Sequence, residues 1–241
     1  MTSFCGAQCQ NQRYTSLGEI LMRHVIGLIT CLLMVLCVAL PASPFGTPLS
    51  DESIRDAYFL GQRHDGTFPS ILSKYIKSLP RPKSGPYISS VTFLTPFIQV
   101  VEYSDGYIGN YSAQKALLDH RGQEEFVLIF IEIQLTDSYG RLVASQPNWR
   151  SRSPEAWVPR PSDFWRDFQV QIYNADQPLA PYDFHGHSTY SCGRHGPCIM
   201  TGATLEFDFR AESFTSDSAA ILVIPPEGDP LSVDFDLDRL R

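Results

Sequence analysis

Histidine and cysteine, the residue types best suited to metal binding and thiol chemistry, concentrate in one short stretch of the 241-residue chain. The stretch reads FHGHSTYSCGRHGPC and covers residues 184–198. Neutral imidazole and thiolate are both zinc ligands, and a structural zinc site uses four ligands. Two nearby thiols can instead form a disulfide in an oxidising compartment. The residues concerned are His185, His187, His195, Cys192 and Cys198.

The spacing of these residues favours a disulfide over a zinc site that includes cysteine. H-x-H followed by C-x5-C is not a standard zinc spacing, and the C-x2-C pattern of a zinc knuckle is absent. A bond between Cys192 and Cys198 closes a small loop that contains two glycines and a proline, which allow a sharp bend. The alternatives are free thiols and a metal site with a cysteine ligand. We therefore predict a Cys192–Cys198 disulfide and no cofactor.

The three histidines remain candidates for a metal site even when the cysteines are oxidised. With a zinc ion, His185, His187 and His195 would supply the three protein ligands that a catalytic site uses. That arrangement would suit a metal-assisted hydrolase. The competing interpretation is three polar residues in a solvated loop. We prefer the second interpretation, because the sequence has no H-E-x-x-H pattern.

Aromatic and guanidinium side chains alternate in a second long connection, residues 147–166. Exposed tryptophan and arginine form many binding hot spots, and an indole face can also stack on a sugar ring. The alternative is that the indoles cover the edge of the fold and pin a long loop, because large aromatic side chains mostly pack. The candidate binding residues are Trp149, Trp157, Trp165, Arg150 and Arg160.

An apolar segment near the N-terminus predicts export. Residues 25–40, VIGLITCLLMVLCVAL, carry no charge, follow the positive MRH and precede the turn-forming PASPFGTPLS. This order is the pattern of a secretory signal, and we expect cleavage after Ala42 or Gly46. Met22 is an alternative start for that signal. An uncleaved segment would instead anchor the chain in the inner membrane. Export would place the remaining cysteines in the periplasm or cell envelope, where disulfides form.

Helical spacing changes to extended spacing after Pro86. SDESIRDAYFLGQRHDG predicts a first helix capped by Ser50 or Asp51, and PSILSKYIKSLP predicts a second helix that ends at Pro80. YISSVTFLTPFIQVVEY is rich in β-branched and aromatic residues. It predicts extended chain throughout, with Pro96 at a bend or sheet edge.

The rest of the chain predicts strands. EFVLIFIEIQLTD is the strongest of them, and its apolar run at 126–131 predicts a central strand covered on both faces. Residues 138–164 and 174–200 are predicted to be long connections. We predict a mainly β protein, an antiparallel β-sandwich preceded by two short α-helices in an α+β arrangement. The predicted segments are 1–46, an extension plus signal peptide; 47–85, a helical segment packing on the sandwich; and 86–241, the β-sandwich domain.

Composition and motifs limit the function. A net charge of −7 argues against nucleic acid, whose phosphates require clustered lysine and arginine. Common hydrolase and nucleotide-binding motifs are absent. SDESIRDAYFLGQR at 50–63 and VDFDLDRLR at 233–241 resemble segments of uncharacterised exported bacterial proteins, which implies export and one domain. We expect a noncatalytic binding or envelope-associated module that recognises an envelope protein or carbohydrate. It would contact the membrane only through an uncleaved signal segment, and the alternative is the hydrolase.

Overall fold

A computed structural model describes residues 44–106, 111–144, 157–194 and 196–241. Within these ranges the protein is mainly β, with antiparallel sheets and a few short helices, as predicted. The helices are α1 (Asp51–Gly61), α2 (Thr67–Leu72), α3 (Pro96–Gly106) and α4 (Ala113–His120). The strands are β1 (Ile76–Ser78), β2 (Tyr87–Leu94), β3 (Phe126–Gln134), β4 (Leu142–Ala144), β5 (Trp157–Pro159), β6 (Gln169–Asn174), β7 (Gln177–Leu179), β8 (Asp183–Cys192), β9 (Cys198–Arg210), β10 (Ser218–Ile224) and β11 (Leu231–Asp236).

Two sheets form the sandwich, and all of their strand pairs are antiparallel. The first sheet has the order β1-β2-β3-β9-β8, and the second has the order β11-β10-β6-β7. β4 and β5 form a separate two-stranded hairpin. β3 lies at the centre of the first sheet, as its apolar run predicts. One face of β3 is buried, and on the other face Leu128 and Phe130 are half-buried.

Aromatic side chains join the two sheets. Phe93 on β2 lies 5.4 Å from Phe235 on β11, measured between ring centroids, and 5.3 Å from Phe214. Phe209 on β9 also contacts Phe214. These rings are buried, and burial of one such side chain contributes about 1.5–3 kcal/mol. Buried and exposed residues alternate along β9 after Gly202 and along β11, so each of these segments has one inward face.

The first helix begins where its cap predicts. The Ser50 hydroxyl accepts a hydrogen bond from the Ser53 amide at 3.1 Å, which satisfies one of the free amides at the start of α1. α1 packs against α3 and α4 near the end of the sheet where β3 begins. At Gly61, a side chain would collide with the Val101 carbonyl of α3, so the two helices approach closely at this point.

The second predicted helix is correct only over its first four residues, 69–72. α2 ends at Leu72, and the following residues form β1, which pairs with β2 instead of continuing the helix. The Tyr75 carbonyl accepts a hydrogen bond from the Phe93 amide at 2.8 Å, and the Tyr75 ring is buried. A short apolar run fits a helix or a strand equally well, and here the free edge of β2 determines the outcome. The segment 47–85 therefore contributes a strand as well as helices.

The prediction of extended chain after Leu94 is wrong. FIQVVEY belongs to α3, which begins at Pro96. The Thr95 carbonyl accepts a hydrogen bond from the Gln99 amide at 3.2 Å, and proline is favoured at the first helical position. The valines and isoleucine of α3 are buried between α1 and the sandwich end, so tertiary packing outweighs their preference for strands.

The two predicted long connections contain strands. Residues 138–164 include the β4–β5 hairpin, and residues 174–200 include β7, β8 and the start of β9. No helix in the described part of the chain is long and apolar enough to cross a membrane. The apolar segment 25–40, nearly all of the predicted extension 1–46, and Trp149, Arg150 and His195 lie outside the described residues.

Candidate functional site

Cys192 and Cys198 form the predicted disulfide. They are register partners at the turn end of the β8–β9 hairpin, with their Cα atoms 4.0 Å apart. The bond closes the turn that contains Gly193 and Gly196. The histidine-rich stretch is therefore a strand hairpin pinned at its tip. His185 and His187 are solvent-exposed as expected, but they lie on a strand and not in a loop.

His185 and His187 lie on one face of β8. Residues two apart on a strand share a face, and directly paired residues of neighbouring strands do so as well. His185 pairs with Glu206 of β9, and His187 pairs with Thr204. The His185 Nε2 atom lies 3.1 Å from an Asp183 carboxylate oxygen, and both side chains are more than half exposed. We call this side of the first sheet the outer face.

The described residues contain no group of three histidine, cysteine, aspartate or glutamate side chains that could hold a metal ion. Among the described residues, His185 and His187 therefore have no third side chain that would complete a metal site. His195, the third predicted ligand, is not among the described residues. The zinc site and the metal-assisted hydrolase stay predictions.

Carboxylates are concentrated on the outer face beside β8. Asp208 pairs directly with Asp183, and Glu206 lies two residues away on the same strand. Burial raises the pKa of Asp208, the negative charge of Asp183 raises it further, and His185 opposes the shift. One Asp208 carboxylate oxygen is buried without a hydrogen-bond partner among the described residues. This face therefore presents a negative surface to an approaching ligand.

Trp165, one of the predicted binding residues, packs against the inner side of β8. Its indole covers Gly186, where a Cβ atom would lie 2.5 Å from two ring carbons. It also meets Phe184 edge-on at 5.7 Å, and the Arg166 guanidinium lies 5.1 Å from its ring centre. Trp165 thus has the packing role that was the alternative to ligand contact.

Arg160, another predicted binding residue, also makes extensive packing contacts. Its guanidinium lies 3.6 Å from the centre of the buried Tyr139 ring. Its Nε atom donates a hydrogen bond to the Gly140 carbonyl at 2.7 Å. A cation over an aromatic face contributes about 0.5–2 kcal/mol. Arg160 holds the segment after β5 against the loop that follows β3.

An open groove of about 1120 Å³ lies at the end of β3 farthest from the helices. Its walls come from four separate parts of the chain: the end of β3, the loop that leads to β4, the β4–β5 hairpin, and the disulfide-bonded end of the β8–β9 hairpin. Trp157 lines it and is 71% exposed, the largest exposed fraction among the large apolar side chains of the described residues. Leu142 and Ile199 add exposed apolar surface.

The groove is lined by polar as well as apolar side chains. Thr201 donates a hydrogen bond to the Thr189 carbonyl at 3.3 Å, and the two threonine hydroxyls are 3.4 Å apart. The Glu132 carboxylate accepts a hydrogen bond from the Ser89 hydroxyl at 3.3 Å, which orients it. The remaining charged lining residues are Asp137 and Arg141. The groove thus combines an aromatic platform with both donors and acceptors.

Sequence reasoning identified Trp157 but missed the rest of the groove. Thr189, Thr201 and Glu132 carry no motif, and the fold brings them together only when β3, β8 and β9 pair. The carboxylates of β9 and β11 do not form one site, since Glu206 and Asp208 lie on the first sheet and Asp234 and Asp236 on the second. Trp149 and Arg150, the other predicted binding residues of this segment, lie outside the described residues.

Comparison of the chain with protein-family models gave no match, and comparison with curated proteins gave none either. The function must therefore be inferred from the fold and from the chemistry of the groove.

Proposed function

We propose that this protein is an exported, noncatalytic binding module whose groove recognises carbohydrate. The observation that carries the proposal is the exposed Trp157 indole beside hydroxyl and carboxylate groups in a wide, open groove. A sugar ring has an apolar face that stacks on an indole and hydroxyls at its edge that need donors and acceptors. Small-molecule pockets are usually more enclosed and more apolar than this groove.

Export is the second part of the proposal. The apolar segment 25–40 has the pattern of a secretory signal, and the Cys192–Cys198 disulfide suits an oxidising compartment. Intact-mass analysis of the protein purified from the periplasm of a Gram-negative host tests this part. We expect a product that lacks about the first 42–46 residues and has no free thiols at Cys192 and Cys198. A full-length product with two reduced thiols in the hairpin would contradict it.

Binding can be tested with a printed glycan array and with soluble peptidoglycan fragments. We expect the wild-type protein to bind at least one saccharide, and Trp157→Ala to weaken that binding at least about tenfold, the effect of losing about 1.4 kcal/mol. Trp157→Phe keeps a flat ring and should retain more affinity than the alanine variant. Phe59→Ala is the matched control, because Phe59 is 60% exposed on α1, away from the groove.

Two results would count against carbohydrate as the ligand. The first is the absence of saccharide binding by the folded, oxidised protein. The second is saccharide binding that Trp157→Ala leaves unchanged. Capture of an envelope protein in a Trp157-dependent manner, without saccharide binding, would assign the groove to a protein partner instead.

A further inference from the structure

We propose that the free edge of β8 binds an extended, positively charged peptide segment as an additional strand. β8 is ten residues long, and within the described residues it pairs on one side only, with β9. The other strands at sheet edges in the described part of the chain are shorter: three residues each for β1, β4, β5 and β7, and six for β11. An unpaired edge offers a row of backbone donors and acceptors, and proteins usually keep such edges short or blocked.

The edge is held rigidly before any partner binds. β8 pairs with β9 from Asp183 to the disulfide at Cys192. On the inner side, Phe184 stacks on Phe207 at 4.5 Å, and the Trp165 indole covers Gly186. A preorganised edge loses little conformational freedom when a strand is added, which favours binding.

The outer face beside this edge selects for positive charge. Asp183 lies on β8 itself, and Glu206 and Asp208 lie on the neighbouring strand. Arg210 at the end of β9 is paired with Glu124 at 3.0 Å, and so it does not offset these carboxylates. An added strand would place alternate side chains next to Asp183 and His185, where lysine or arginine is favoured and glutamate is disfavoured.

The usable part of the edge is about six residues long. A register irregularity between Thr189 and Tyr190 interrupts the regular ladder. β9 stays paired beyond it, but such a bulge bends and twists the strand, which disfavours regular pairing of an added strand past this point. The Ser188 hydroxyl donates to the Ser162 carbonyl, which brings another segment close to that end. The added strand would therefore pair along 183–188. This inference is independent of the carbohydrate groove, because it uses neither Trp157 nor the residues that surround it.

Peptide binding to the oxidised protein tests the proposal. The probe is a fluorescent seven-residue peptide in which lysine alternates with valine and threonine, measured by anisotropy. We expect saturable binding of this peptide, at least tenfold weaker binding when its lysines are replaced by glutamate, and a similar loss when its backbone is N-methylated at alternate residues. Amide hydrogen exchange should slow within 183–188 when the peptide binds.

Matched variants distinguish peptide binding at the β8 edge from general electrostatic attraction to the protein. Asp183→Lys should weaken peptide binding at least fivefold, whereas Asp234→Lys, on the edge strand of the second sheet, should leave it unchanged. Circular dichroism and thermal unfolding establish that both variants fold. Equal binding of the N-methylated peptide, or equal loss in both variants, would overturn the proposal. A dimer that protects 183–188 in the absence of peptide would also overturn it, by assigning the edge to a second copy of the chain.

Discussion

The contact between Gly186 and Trp165 allows a sharp test of how the histidine strand is held. A Cβ atom at position 186 would lie 2.5 Å from two indole carbons and 2.7 Å from a third. Non-bonded carbon atoms prefer about 3.5–4.0 Å. Gly186→Ala therefore forces the indole or the strand to move by about 1 Å.

Overpacking of this kind typically costs about 1–3 kcal/mol. Urea unfolding of the oxidised protein should show Gly186→Ala destabilised by that amount, with a melting temperature lower by about 2–4 °C for each kcal/mol in a chain of this size. Trp165→Leu removes the atoms that collide with the new methyl group. In the double variant the two losses should fall short of additivity by about 0.5–3 kcal/mol.

Gly106→Ala is the control, because a Cβ atom there has no neighbour within 4 Å among the residues that the structure describes. It should change stability by less than about 0.5 kcal/mol, as surface substitutions usually do. The reasoning is refuted if Gly186→Ala is as stable as the wild type. Simple additivity of Gly186→Ala and Trp165→Leu would refute it as well, since it would mean that the two residues do not compete for space.

Three further predictions concern stability. Replacing Cys192 and Cys198 together by serine should lower the free energy of unfolding by about 2 kcal/mol, a modest loss because the loop that the disulfide closes is short. The wild-type protein should show the same difference when it is measured with and without reductant. Ionised Asp208 opposes folding, because the pKa of this carboxyl is raised in the folded state, and the wild type should therefore become more stable as the pH falls from 7 through that pKa. In urea titrations at pH 7, Asp208→Asn should be more stable than the wild type. This advantage should shrink below about pH 4, where the carboxyl is protonated in both the folded and the unfolded state. Arg160→Ala should cost about 1–2 kcal/mol by thermal unfolding through loss of the contact with Tyr139, whereas Arg166→Ala, whose side chain is mostly exposed, should cost less.

Local sequence patterns correctly predicted the elements whose structure depends on residues close together in the chain. β9 and β11 have one buried and one exposed face, and so their alternation was visible in the sequence. The start of α1 could be predicted because Ser50 caps it through a hydrogen bond to the amide of a residue only three positions further along the chain. The Cys192–Cys198 disulfide was also local, since its two partners lie six residues apart.

The incorrect predictions concern segments whose secondary structure depends on contacts with distant parts of the chain. α3 is β-branched and apolar, but its burial against α1 favours a helix. Residues 76–78 become a strand because β2 has a free edge. β8 contains polar residues and glycine, and this composition predicted a loop. It is extended because β9 pairs with its whole length. The groove depends on all of these pairings, so only Trp157 could be found from its residue type.

The order of strands along the chain determines how the protein can reach its native state. β1, β2 and β3 belong to the first sheet, β6 and β7 to the second, β8 and β9 again to the first, and β10 and β11 again to the second. β10, one of the two inner strands of the second sheet, joins β6 to β11, so this sheet is completed only after nearly all of the polypeptide is present. Contacts between distant residues form slowly. A chain that leaves a ribosome or crosses a membrane N-terminus first would therefore stay without a closed core until its last strands arrive, and chaperones would have that interval in which to bind it.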